Sequence, residues 1–343
     1  MTKPRFEEFR FKGADDADLR QRVNTITSRR RRVYAPTGYE TIGADQRLGV
    51  YVTTPLDPQG EELVIRTTAF TDDNGRESGA VFDALIADAT GRRVIAANAP
   101  GVDYSKTMDP TFETNQELSP DQIEELTQHG MHSGFIRTGD AVMNAIHYTA
   151  HELDISRQYI LTASSMGVAL GAGMLRSALE NNHDVKGVTL AEPVNHVARR
   201  LPGFAKDFLV SGSRQPGYLA MNPDVLSELD EPPLKWMERV VEDRKANWTY
   251  ARALGKGSFY LDLGAVDGLE EVPVYLTRGA GSRLSQAAPF AGMVAKFKRV
   301  GGDYVDDRTF GDNVANPHDH PYTMTVQSVI DGVNNVINRA AQV

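Results

Sequence analysis

Apolar residues fall into short runs along this chain, each closed by glycine-rich or polar positions. Residues 63–68, 94–97, 159–162, 185–190 and 272–277 form runs of strand length with no regular polar alternation, as in strands buried on both faces. Segments with helical spacing lie between most of them. That alternation predicts an α/β fold with a mostly parallel central β-sheet and helices on both faces. Ahead of these runs, residues 33–42 and 48–54 flank a polar turn at 43–46, which reads as an antiparallel start to the sheet.

Ser119, Pro120 and Gln122 supply an N-cap, a first-turn proline and a capping-box partner, so a helix starts there and runs to about Gly130. A second helix, over residues 134–152, carries Ile136, Met143, Ile146, Ala150 and Leu153 on the stripe expected to face the sheet. Residues 168–175 are apolar or small on every side, which predicts a helix buried in the middle of the molecule. Gly167, Gly171 and Gly173 would let it approach the sheet closely, at some cost in helix propensity. Residues 295–300 read as the last strand and 325–338 as a C-terminal helix. Over residues 193–270 the alternation gives way to mixed helical stretches such as 234–248. The expected division is therefore a core of residues 1–192 and 271–343 with a helical cap or lid, residues 193–270, inserted into it.

Composition narrows the function. A chain of 343 residues with 41% hydrophobic content can bury a large core. A net charge of −9 argues against a general nucleic-acid binder or a protein drawn to anionic membranes. No cysteine is present, so disulfides, thiolate metal sites and cysteine nucleophiles are excluded and a nucleophile must be Ser, Thr, Asp or Lys. Residues 1–12 are charged, without an apolar run of signal-peptide length, and no later stretch approaches the roughly 18 apolar residues of a membrane span. These features lead us to expect a cytoplasmic protein. No glycine-rich phosphate loop points to a nucleotide, and no cofactor is called for.

Candidate chemistry centres on Ala163-Ser164-Ser165-Met166-Gly167, between the run at 159–162 and the buried helix. A nucleophile on a tight strand-to-helix turn needs small neighbours, because its backbone is strained and the chain packs closely on both sides. Ser165 fits that place, with Ala163 where the Gly-X-Ser-X-Gly pattern has its first glycine; Ser164 is in the wrong register. The competing reading of Ser165 is a buried serine that caps the helix.

The stretch Val94-Ile95-Ala96-Ala97-Asn98-Ala99-Pro100-Gly101-Val102-Asp103-Tyr104-Ser105 resembles the strand and Pro-Gly-X-Gly-X-Ser loop of the α/β-hydrolase fold superfamily, with Asp103 in place of the second glycine. Thr67-Thr68-Ala69-Phe70-Thr71 stands where that family has a His-Gly loop, and the pair is absent here. The resemblance covers about residues 33–337, interrupted by the cap, and its specificity lies in the order of the motifs.

The resemblance implies a serine hydrolase in which Ser165 forms an acyl-enzyme that water cleaves. It implies an oxyanion hole built from the backbone N–H of Met166 and that of Phe70 or Thr71, with a core or pocket-wall aromatic as the competing reading of Phe70. It places the base in Pro317-His318-Asp319-His320-Pro321, after the last strand, with His320 favoured over His318. A merely solvated loop is the plain alternative, and a metal pair with Asp319 lacks matching ligands. For the acid, Gly279-Ala280-Gly281-Ser282 has serine where many members have aspartate. Other members carry the acid after the strand preceding the cap, which selects Glu192, against a structural hydrogen-bonding role; Asp267 precedes its strand and is the weaker choice.

The implied substrate is a small-molecule acyl compound, with an ester as the default and amide, thioester and carbon-carbon bonds open. Phe204, Phe208, Tyr218, Trp236 and Trp248 could wall an apolar pocket or form the core of the cap. A dehalogenase-like reading would need aspartate at position 165. The competing class is a non-catalytic α/β-hydrolase-fold protein for binding or assembly, motivated by the absent His-Gly pair and by Ser282. Arg29 to Arg32 could contact phosphate but read better, in an acidic chain, as a solvated or inter-subunit charge patch, which leaves a homo-oligomer open. His147 and His151 lie four apart on a helix, but Tyr148 stands where a zinc-protease motif needs Glu, so they read as surface or packing histidines.

Overall fold

A computed structural model describes residues 17–41, 44–67, 77–102, 117–128, 134–194, 198–200, 202–203, 205–207, 244–257, 268–301, 305–310 and 326–341. Helix α1 (Ala17–Ser28) precedes strands β1 (Arg31–Thr41) and β2 (Ala44–Thr53). There follow β3 (Leu63–Thr67), α2 (Glu77–Thr90), β4 (Arg93–Ala97), α3 (Pro120–Thr127) and α4 (Ile136–Glu152). Next come β5 (Gln158–Ser164), α5 (Met166–Glu180), β6 (Asp184–Ala191) and α6 (Arg244–Leu254). The chain continues with β7 (Val274–Gly279), α7 (Ala287–Gly301), β8 (Val305–Phe310) and α8 (Val326–Ala340).

The strands form one eight-stranded sheet in the order β1-β2-β4-β3-β5-β6-β7-β8. Strand β2 is antiparallel to both β1 and β4, and from β4 to β8 all neighbours are parallel. Successive side chains on a strand point to opposite faces, and here both faces are covered. Leu63 and Ile65 enter one core while Val64 enters the other; Tyr159, Leu161 and Ala163 are likewise separated from Ile160. The first core lies under α4 and α5, and the second under α1, α2 and α8. A strand buried on both sides carries apolar residues toward both faces, which is why these strands read as runs without regular polar alternation.

The capping box of α3 forms as its residues predict: Gln122 N–H donates to Ser119 Oγ (3.2 Å) and Ser119 N–H to Gln122 Oε1 (2.9 Å). Helix α5 is buried at every position from Met166 to Leu175. It crosses α4 where Gly139 meets Gly173, and a Cβ on Gly173 would run into the Phe135 carbonyl.

One element differs from expectation. Residues 295–300 belong to helix α7, whose Phe290, Met293, Val294 and Phe297 are buried at helical spacing, and the last strand is β8. Strand β8 escapes a search for apolar runs because it lies at the sheet edge, where Asp306, Asp307 and Arg308 are half-buried or exposed.

Helix α6, near the end of the segment expected as a cap, packs on the core. Tyr250 donates its hydroxyl proton to the Pro100 carbonyl (2.6 Å) and stacks on Phe135 with ring centroids 6.0 Å apart. Trp248 on the same helix is 54% exposed, so it forms no part of a core. Phe204, Phe208, Tyr218 and Trp236 lie outside the described side chains.

Candidate active site

Ser165 joins β5 to α5 with φ 56° and ψ −122°, a region that residues with a Cβ rarely occupy. Such a conformation costs about 1–3 kcal/mol and persists only where its surroundings over-determine it. Here its N–H donates to the Ala191 carbonyl (2.9 Å) and its carbonyl accepts from Val168 N–H (3.1 Å). The side chain does not cap α5, which removes the capping reading of this serine. Small residues allow the turn: a Cβ on Gly171 would lie 2.9 Å from the Ala163 Cβ. Met166 opens α5 and is fully buried, with its amide in the first turn, where backbone N–H groups lack intrahelical acceptors.

Glu192 follows β6 and is fully buried, with φ 55°. Its N–H donates to the Thr277 carbonyl (2.8 Å) on β7. One carboxylate oxygen, Oε1, accepts from Gly279 N–H, and Oε2 accepts from the Ser282 hydroxyl at 2.6 Å. Ser282 Oγ in turn accepts from Ser285 N–H (3.0 Å). Ser164 pairs with Ala191 and Ala191 with Thr277, so Ser165 and Glu192 each stand one residue beyond matched positions on neighbouring strands. Both leave the sheet at its C-terminal edge, where open parallel sheets place their ligands.

Two arginines surround this edge that the apolar pattern does not single out. Arg278, the one charged residue of β7, is 5% exposed; burial lowers its pKa and the nearby Glu192 carboxylate opposes that shift. Arg199 has its pKa lowered by burial and raised in part by Asp207.

Of the residues expected at a site, Ser165, Met166, Glu192 and Ser282 lie together at this edge. Phe70, Thr71, Asp103, Asp267, His318, Asp319 and His320 lie outside the described residues. His147 is elsewhere: its Nδ1 is 3.0 Å from the hydroxyl of Tyr159, near the opposite end of β5, and its ring stacks on His183 at 4.1 Å. Burial lowers the pKa of both histidines and pushes the Tyr159 hydroxyl up to about 12. His151 is exposed beside Glu152. Among the described residues no cluster of three or more His, Asp or Glu could hold a metal ion.

The expected arginine patch is only partly at the surface. Arg30 is half-buried and pairs with Asp83 (2.6 Å), which also pairs with Arg66 (2.5 Å), and Arg32 lies over the rings of Tyr34 and Tyr51. Arg29 and Arg31 are exposed.

No protein-family model and no curated protein sequence matches the chain. Solved structures do. A lipase candidate from Acinetobacter baumannii AYE is 11% identical, with 95% of this chain and 96% of that one covered at a TM-score of 0.52. A hydrolase candidate from Legionella pneumophila is 13% identical over 92% and 95% of the two chains, also with a TM-score of 0.52. An epoxide hydrolase from Vigna radiata is 13% identical over 92% and 98%, with a TM-score of 0.50. Identities this low speak to architecture alone. Together with the strand order and the antiparallel start of the sheet, they give this chain the α/β-hydrolase fold.

Proposed function

We propose that the chain is a serine hydrolase that cleaves an ester, or another acyl bond, of a small molecule through a Ser-His-acid triad. Ser165 is the nucleophile at the elbow between β5 and α5, Glu192 is the acid, and His320 or His318 is the base. The observation that carries this reading is the strain shared by Ser165 and Glu192. Among the described residues the other non-glycine residues with positive φ are Asp154 and Asn182, whose side chains tolerate that conformation and which stand in turns. Serine and glutamate have no such tolerance, and both occur at one edge of the sheet. Strain held at neighbouring positions is typical of reacting groups.

In this mechanism the histidine takes the Ser165 proton as the hydroxyl oxygen attacks the acyl carbon, and it returns the proton to the leaving group. Negative charge developing on the carbonyl oxygen is met by the Met166 N–H and by that of Phe70 or Thr71. Water then cleaves the acyl-enzyme. The Glu192 carboxylate holds the imidazole in place and stabilises its charged form. Residues 193–270 act as a cap over this edge, with 1–192 and 271–343 as the core.

Labelling by a fluorophosphonate probe tests the reading. Wild type labels, Ser165→Ala does not, and the weaker labeller of His320→Ala and His318→Ala identifies the base. A folded wild-type protein that takes no label would be a non-catalytic scaffold.

A further inference from the structure

The loop after β7 is held around Glu192 from two sides. Its first turn is closed by Ser282 N–H donating to the Gly279 carbonyl (3.1 Å). From beneath, Arg278 donates through Nε to the Ser285 carbonyl (3.0 Å) and through Nη2 to that of Ala280 (3.1 Å). From the segment that follows Glu192, Arg199 donates to the carbonyls of Arg283 (3.0 Å) and Leu284 (2.7 Å). A loop whose carbonyls are anchored along its length presents its donors in one arrangement, which is what a preorganised site requires.

Inside this bracket the hydrogen bonds run in one direction. Ser285 N–H donates to Ser282 Oγ, and Ser282 Oγ donates to Glu192 Oε2. A hydroxyl has one proton to give, and this one goes to the carboxylate while its oxygen is occupied by a backbone amide. The 2.6 Å separation falls in the range of charge-assisted O–H to carboxylate bonds. Gly279 N–H occupies the other oxygen. Each carboxylate oxygen has two lone-pair directions, so a fixed Glu192 can still accept from a further donor.

We propose that Ser282 is a positioning residue: its hydroxyl fixes the Glu192 carboxylate so that a remaining lone pair faces the base, a role that rests on Glu192 being the acid of the proposed triad. The same contact accounts for serine at position 282. A second carboxylate there would lie against Glu192, and like charges at such a distance do not both ionise readily. A hydroxyl supplies a donor and no charge. Acid work belongs to the end of β6, and the loop after β7 supplies its support.

A double-mutant cycle on the full chain tests this, read as the second-order rate of labelling by a fluorophosphonate probe. Glu192→Gln slows labelling by about 10³-fold or more, by analogy with loss of a triad carboxylate. Ser282→Ala slows it by roughly 10-fold to 10²-fold, the cost of a misplaced group. Because Ser282 acts through Glu192, the double variant labels no more slowly than Glu192→Gln alone, and Ser282→Thr, which keeps a hydroxyl, recovers most of the rate. Wild-type labelling by Ser282→Ala, or losses that multiply in the double variant, would overturn the proposal. If Ser282→Ala lacks a cooperative thermal transition, Ser282→Cys decides: a weaker donor in nearly the same volume labels more slowly than Ser282→Thr, and equal rates overturn the proposal. Failure of the underlying reading is separate. It would appear as full labelling of Ser165→Ala or of Glu192→Gln, whereas a slow Glu192→Gln beside a wild-type Ser282→Ala refutes the positioning role alone.

Discussion

Ser165 donates its backbone N–H to the carbonyl of Ala191, the residue before Glu192, so the two strained residues are tied through one hydrogen bond of 2.9 Å across neighbouring strand ends. The conformation of Ser165 opposes any residue with a Cβ. Replacing it with glycine removes that opposition, whereas alanine keeps it. Ser165→Gly should therefore be more stable than Ser165→Ala by about 1 kcal/mol, although both lose all labelling. Urea unfolding of the two variants measures the difference; equal midpoints would mean that the turn holds no strain.

The Glu192 carboxylate satisfies two buried donors, Gly279 N–H and the Ser282 hydroxyl. Glu192→Ala leaves both without this acceptor and opens a cavity. Each buried donor so orphaned costs about 1–3 kcal/mol, so the variant should lose about 2–6 kcal/mol. Glu192→Gln keeps the volume and one acceptor oxygen and should lose less. Denaturant unfolding of both variants checks the order, and Glu192→Gln separates loss of activity from loss of fold.

Strands β3 to β7 are legible because both faces of the sheet are covered and apolar side chains point both ways from them. Strand β8 is not, since its edge position admits Asp306, Asp307 and Arg308. Ser165 is legible from its small neighbours, which are a local requirement of the turn. Ser282 reads as a missing acid because the contact that gives it meaning joins residues 90 positions apart, and no local spacing records it. Arg30 follows the same logic. A run of basic residues reads as a solvated face, and the buried partner that draws Arg30 inward, Asp83, is 53 positions away.

Asp83 is the shared anion of two cations that are themselves nearly buried: the side chains of Arg30 and Arg66 are 9% and 8% exposed, and that of Asp83 is not exposed at all. Removing one member of a buried ionic group is costly because the remaining charges have lost their compensation. Asp83→Ala should lower the unfolding free energy by about 3–5 kcal/mol. Urea unfolding measures this. A loss under about 1 kcal/mol, the range of an exposed pair, would show that water reaches the cluster.

His147 and His183 make the fold sensitive to acid. Burial lowers the pKa of both, with the positive charge of Arg157 acting in the same direction and His183 adding to the shift of His147. In the unfolded chain a histidine titrates near pH ~6.5. Above that value both rings are neutral in either state, and the stacked pair contributes its full stability. As pH falls below it, the unfolded chain binds protons that the folded pair refuses, so stability declines until pH passes the lowered folded values. Both rings are partly exposed, and solvent screening keeps the effect modest. His183→Phe preserves a ring against His147 while removing one titrating group. Urea midpoints of the wild type should therefore fall more steeply between pH ~8 and ~5.5 than those of the variant. Parallel curves would mean that this pair leaves the acid sensitivity of the fold to its carboxylates.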